Sequence, residues 1–182
     1  AAYKEAERKL TEEVKKSKNL ANPETLQATI ITEKVKHDTD DPAIWINKAN
    51  PSQSLIIGTD KDADGALYAF NLSGKVVKRV GGIKRPNNVD IAYGITLNGK
   101  KVDIAVTTER EANKLRIFTL PDLQPIDNGG IDVFVGEKER DPMGIALYTR
   151  PTDQAVFAIV GRKSGPADGY LWQYELSGNG KL

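Results

Sequence analysis

Residues 89–120 carry three short runs: Val89-Asp90-Ile91-Ala92-Tyr93-Gly94-Ile95, Val102-Asp103-Ile104-Ala105-Val106-Thr107-Thr108 and Lys114-Leu115-Arg116-Ile117-Phe118-Thr119-Leu120. Each is rich in β-branched or aromatic residues, and turn formers such as Asn98-Gly99 and Asn113 separate them. That pattern reads as three consecutive strands. The same trio occurs before and after. Runs beginning at Ala43, Leu55 and Ala66 precede it, and runs beginning at Met143, Ala155 and Tyr170 follow it. First members start at 43, 89 and 143, second members at 55, 102 and 155, and third members at 66, 114 and 170. The period is therefore about fifty residues with three or four strands per unit, the signature of propeller blades.

Further strands are expected at Thr29–Thr32, Lys75–Arg79 and Ile131–Val135. No helical periodicity interrupts the chain from Ala28 onward. Before that, residues 3–18 read as a helix, with Glu5–Lys9 and Glu12–Lys16 at i,i+4 and a thin stripe of Tyr3, Ala6, Leu10 and Val14. Asn22-Pro23 breaks it. The expected organisation is an N-terminal helix and linker over 1–27 and a partial all-β propeller domain over 28–182. Three blades do not close a ring that normally has four to eight. Open flanks leave unpaired edges, so the reading expects further blades from a longer chain or from a partner.

Composition narrows the chemistry. The 182 residues are 39% hydrophobic and 28% charged with a formal net charge of +1, a balance typical of a globular domain and unlike that of a nucleic-acid-binding one. No apolar run reaches the length of a membrane span. Cysteine is absent, which excludes disulfides, thiolate-bound zinc and thiol catalysis. His37 is the single histidine, so a Ser-His-Asp triad or a histidine nucleophile has little to work with. In Lys36-His37-Asp38 it reads as an ordinary loop residue. No signal peptide opens the sequence, which begins Ala1-Ala2-Tyr3.

Superimposing the units singles out the loop after each second strand: Gly58-Thr59-Asp60-Lys61, Thr107-Thr108-Glu109-Arg110 and Val160-Gly161-Arg162-Lys163. Equivalent loops of radially arranged blades gather at one end of the central channel. Lys61, Arg110 and Arg162 are therefore expected to face a common space. Cations so placed repel unless an anion lies between them, and phosphate suits both guanidinium and ammonium groups. The competing reading is three solvated loop cations. Asp60, Asp62 and Asp64, ending at Gly65, resemble the first half of a calcium loop. A polar hairpin turn explains them equally well. Trp45, Phe70, Phe118 and Trp172 read as core residues.

Several motifs in order resemble those of the β-propeller phytases: Asp40-Asp41-Pro42-Ala43-Ile44-Trp45, Asn87-Asn88-Val89-Asp90, Leu97 to Ala105, Gly144 to Tyr148, Val160-Gly161 and Gln173-Tyr174-Glu175-Leu176. The resemblance covers residues 38–177. It implies a six-bladed propeller, about three blades of which lie in this sequence, with calcium ions at a channel-mouth site. It implies hydrolysis of phytate or other inositol phosphates, of the 3-phytase type, by a metal-activated water. By position, Lys61, Arg110 and Arg162 fall on phosphate-binding cations of the family. Asp40 and Asp41 fall on calcium-linked aspartates, and the carbonyls of Pro42 and Val89 on backbone ligands of calcium. No catalytic residue is assigned.

The resemblance also implies a secreted or periplasmic location and, as partners, the remaining blades or a second phytase domain. Three departures stand out: Met143 replaces an active-site tyrosine, Asp62 a second lysine, and Lys163 an acidic residue. Those departures leave a second expectation beside the enzyme: a non-catalytic, incomplete propeller that binds inositol phosphates or calcium and assists a catalytic domain.

Overall fold

The computed structural model describes residues 26–176, together with Glu5, Lys9 and Glu12. The helix expected over 3–18 otherwise lies outside the described residues. The chain divides into a unit over Ala1–Ile31 and a second over Thr32–Leu182. In the first, the described Leu26, Ile30 and Ile31 are exposed.

The second unit is built of strands. β1 (Thr39–Trp45), β2 (Leu55–Asp60), β3 (Gly65–Asn71) and β4 (Val76–Ile83) form one sheet in chain order. β5 (Pro86–Leu97), β6 (Lys100–Glu109), β7 (Lys114–Leu120) and the two-residue β8 (Ile131–Asp132) form the next. β9 (Pro142–Thr149), β10 (Val156–Arg162) and β11 (Leu171–Leu176) form the third. Every neighbouring pair is antiparallel, so each repeat folds as one up-and-down sheet. Single 3-10 turns at Pro51–Gln53 and Arg110–Ala112 are the helical elements of this unit among its described residues.

Period-two alternation explains the stacking. In the middle sheet Ile104, Val106, Leu115 and Ile117 face the third sheet, where they meet Val156, Ala158 and Val160. Ala105, Phe118 and Leu120 face the first sheet, where they meet Ile57, Leu67 and Ala69. Both faces of this sheet are therefore covered, which is why Lys114–Leu120 carries apolar residues on both parities. Each fully buried Leu, Ile or Phe contributes roughly 1.5–3 kcal/mol. The outer face of the first sheet is covered by Val35 of the entering chain, which packs on Ala66, Tyr68 and Phe70.

Two expectations need correction. Thr29–Thr32 does not take up a strand, and Ile30 and Ile31 stand exposed. The strand expected over Ile131–Val135 stops at Asp132. Val133 and Phe134 are both fully buried although adjacent, which a pleated strand does not allow at a sheet edge, and Phe134 takes φ +52°. The chain turns inward there, and the Phe134 ring packs on Trp172 and Tyr174 with centroids 5.2 and 6.3 Å away. Of the aromatics expected in the core, Trp45, Phe70 and Phe118 are buried. No helix among the described residues is long and apolar enough to cross a membrane.

Candidate functional site

The same irregularity recurs in all three sheets. Thr39 pairs with Asp60 and Pro42 with Gly58; Pro86 with Glu109 and Val89 with Thr107; Pro142 with Arg162 and Ile145 with Val160. Each first strand thus holds two residues opposite one on its partner, a β-bulge at a fixed place. The bulged pairs are Asp40-Asp41, Asn87-Asn88 and Met143-Gly144. A bulge takes backbone groups out of the ladder, and those groups must find other partners. Here threonine hydroxyls supply them. Thr59 Oγ1 donates to the Asn87 carbonyl at 2.8 Å, Thr107 Oγ1 to that of Asn88 at 2.9 Å, and Thr108 Oγ1 to that of Met143 at 2.9 Å. The first and third of these bonds cross from one sheet to the next, so the bulged edge is laced into one rim.

The aspartates of the first bulge are firmly held. Asp40 Oδ1 accepts from Lys61 Nζ at 2.6 Å, and Asp40 Oδ2 accepts from Asn87 Nδ2 at 2.8 Å. Asp41 Oδ2 accepts from the Val89 amide at 2.9 Å. The expected site residues Asp40, Asp41, Pro42, Val89 and Lys61 are therefore gathered where the first two sheets meet. Arg110 follows β6 at the equivalent place. No carboxylate or other side chain pairs with its guanidinium among the described residues.

Arg162 is placed differently. The register sets it opposite Pro142, level with Asp60 and Glu109, and all three are buried, at 2%, 0% and 4% exposure. Its Nη1 donates to Glu137 Oε2 at 2.6 Å and to the Glu139 carbonyl at 3.1 Å, and its Nη2 donates to the Gly169 carbonyl at 3.0 Å. The Phe134 ring lies 5.0 Å from its Cζ. The residue level with Lys61 and Arg110 is Lys163. The amides of Lys61, Arg110 and Lys163 make the same bond, to the carbonyls of Asp38, Arg85 and Asp141 at 2.6, 3.1 and 2.9 Å. Reading the four-residue loops position by position gives the same alignment. Glu137 was not foreseen, because it lies in a loop with no periodicity to mark it.

The Asp60–Asp64 run is a β2–β3 hairpin turn in which each carboxylate has separate work. Asp60 Oδ1 accepts from the His37 and Asp38 amides at 3.0 and 2.8 Å, and Asp62 Oδ1 accepts from the Asp64 amide at 3.2 Å. Asp64 bonds Lys36, whose ammonium holds that carboxyl below the usual range. His37 is a loop residue with its ring Nε2 4.0 Å from Asp62 and 3.9 Å from Asp64. Two buried oxygens near the first bulge, Asp60 Oδ2 and Asn87 Oδ1, have no hydrogen-bond donor. Among the described residues, no three acidic or histidine side chains gather closely enough to hold a metal by themselves. A cation at this rim would need amide and carbonyl oxygens as well.

Comparison with known proteins agrees with the motif reading. The family model described as Phytase matches residues 2–182. The 3-phytase of Bacillus subtilis (strain 168) is 31% identical over 156 residues, which cover 78% of this chain and 36% of that protein. The chain thus spans little more than a third of the length of that curated relative. Among solved structures, the computationally designed Ika4 protein aligns at 14% identity and a TM-score of 0.37, covering 83% of this chain and 99% of that one.

Proposed function

The chain belongs to the phytase family, and from that premise we propose that it forms part of a calcium-dependent β-propeller phytase, hydrolysing phosphomonoesters of myo-inositol hexakisphosphate. The observation that carries this reading is the repeated bulge, which sets a basic residue at the same point of three successive sheets. Three up-and-down sheets stacked face to face in chain order support the propeller.

Within that reading Lys61 and Arg110 meet the phosphate. Asp40 orients the Lys61 ammonium, and Asn87 in turn fixes Asp40. Among the described residues nothing occupies the Arg110 side-chain donors, and a guanidinium fork matches two oxygens of one phosphate. Arg162 brings a third positive charge to this end of the fold, with Nη1 engaged by Glu137 and the Glu139 carbonyl and Nη2 by the Gly169 carbonyl, while its buried Nε has no partner among the described residues.

Calcium takes oxygen ligands, and two buried acceptor oxygens near the first bulge, Asp60 Oδ2 and Asn87 Oδ1, stand without donors. Asp40, Asp41 and the carbonyls of Pro42 and Val89 would hold it, and when bound it acidifies a water and offsets phosphate charge.

The test is phosphate release from phytate by the protein, with and without a calcium chelator. Release that the chelator abolishes, and that falls in Lys61→Ala and Arg110→Ala, is the expected result. Release indifferent to the chelator, or to both substitutions, refutes the proposal.

A further inference from the structure

We propose that the far end of the first two sheets holds a second binding site, for an organic anion with an apolar body, and that Lys48 and Lys101 are its cations. The site is separate from the rim and does not depend on the function proposed above. Four residues of β1 lead from Asp41 to Trp45, a distance of about 13 Å along the strand.

Three observations carry it. First, a cavity of about 790 Å³ opens there, and its lining includes the apolar Trp45, Ile91 and Tyr93 and the polar Asn47, Lys48 and Lys101. Small-molecule sites span roughly 300–1,000 Å³ and combine apolar walls with a few polar groups. Second, the β5–β6 pair carries another bulge. Ala92 pairs with Ile104 and Ile95 with Val102, so Tyr93 and Gly94 stand opposite Asp103 alone. Gly94 takes φ +65°, and nothing beyond its chain neighbours lies within 4 Å of where a Cβ would be. The rim bulge recurs in all three sheets, but this one does not, since the first and third sheets keep register at this end. Stacking of the sheets gives no reason for it, and bulges re-aim side chains beside sites.

Third, the acid at this end is engaged and the bases are not. Asp103 Oδ1 accepts from the Gly94 amide at 2.9 Å, and its Oδ2 accepts from Trp45 Nε1 at 2.8 Å. The Tyr93 hydroxyl accepts from the Ile46 amide at 2.9 Å and donates to the Ile44 carbonyl at 3.3 Å, which fixes the ring. Lys48 Nζ lies 5.3 Å from the centroid of that ring. Neither Lys48 nor Lys101 has a carboxylate partner among the described residues, and both are exposed. Ammonium groups are point charges that accept carboxylate or phosphate alike. A bare ion would leave the apolar lining to water, whereas an apolar body covers it.

Titration of the full protein with terephthalate and with phenylphosphonate, followed by NMR at the Trp45 indole N–H, tests the site. Trp45→Phe assigns the signal. At least one anion should shift it saturably, and the two arms show whether carboxylate or phosphorus oxyanion is preferred. Uncharged benzyl alcohol should bind more weakly than either. Lys48→Ala and Lys101→Ala should each weaken anion binding about tenfold, the loss of one charge-assisted contact, and leave phosphate release from phytate unchanged. Lys61→Ala should leave the Trp45 titration unchanged. No saturable shift with either anion, equal binding of benzyl alcohol, or indifference to both lysine variants overturns the site and leaves the proposed function intact. A shift lost in Lys61→Ala but kept in Lys48→Ala and Lys101→Ala puts the anion at the rim and overturns it equally.

Discussion

The first and third sheets solve one problem with opposite charges. In the first, the entering loop is held by the Asp60 carboxylate, which receives two backbone amides and has no cation against it among the described residues. In the third, the loop is held by the Arg162 guanidinium, which reaches the Glu139 carbonyl and the Glu137 carboxylate in it and the Gly169 carbonyl before β11. The middle sheet is intermediate: Glu109 accepts the Lys84 amide and has Arg116 Nη1 3.5 Å away. An acceptor carboxylate suits an entry loop that presents N–H groups, and a donor suits one that presents carbonyls. The position is therefore fixed by the bulge, and the loop chooses the sign.

The comparison predicts unequal costs. Arg162→Met should have the largest effect, about 3 kcal/mol, because it takes a buried guanidinium away from Glu137 and from the Glu139 and Gly169 carbonyls. Asp60→Ala should cost about 2 kcal/mol, since two amides lose their acceptor. Urea unfolding midpoints measure both. If Asp60→Ala proves the costlier, the third sheet is not the more heavily clasped. Thr108→Val probes the lacing between sheets. It leaves the Met143 carbonyl and the Asn88 amide, which bonds Thr108 Oγ1 at 3.1 Å, without that hydroxyl. The expected loss is about 1 kcal/mol, with Thr59→Val a matched measurement at the other junction.

The strands and their repeat were legible because each trio keeps apolar residues at matching positions, and burial on both faces leaves little freedom in them. Lys114–Leu120 was readable to the residue. Thr29–Thr32 misled because β-branched composition reports what fits a pleated sheet, not whether a partner strand is present. Ile131–Val135 misled because consecutive burial of Val133 and Phe134 depends on a pocket formed by Trp172 and Tyr174, some forty residues away. At the site, the acidic and basic residues were legible as types, but their depth was not. Arg162 and Lys163 are neighbours of like charge, and only the pairing of Arg162 with Pro142 shows which one faces inward. Asn87 drew attention as part of a motif, yet its bond to Asp40 becomes visible only when two sheets meet.

The smallest expected effect lies at the far end of the third sheet, where a second ionic link closes the β9–β10 hairpin. Arg150 Nε and Nη2 donate to Asp153 at 2.8 and 2.6 Å, and the Ala155 amide adds a bond at 3.2 Å. This pair is exposed, whereas the Arg162 head is buried, so the two links separate solvent screening from geometry within one sheet. The Arg150 hydrogen bonds, aided by the Ala155 amide, pull the Asp153 carboxyl down from 3.8 to about 2. A depressed folded value means that the unfolded chain takes up the proton first. The link's contribution is then fully present above the ordinary carboxylate range and lost as pH falls through about 2. At neutral pH, Asp153→Asn should therefore unfold slightly earlier in urea than the parent protein, by far less than Arg162→Met. The gap should close as pH falls from about 4 toward 2. A carboxyl titration followed by NMR decides the matter. A midpoint near 2 shows that the two-point fork persists in solution, and one near the ordinary value shows that water has replaced it, leaving Arg162 as the third sheet's one effective ionic link.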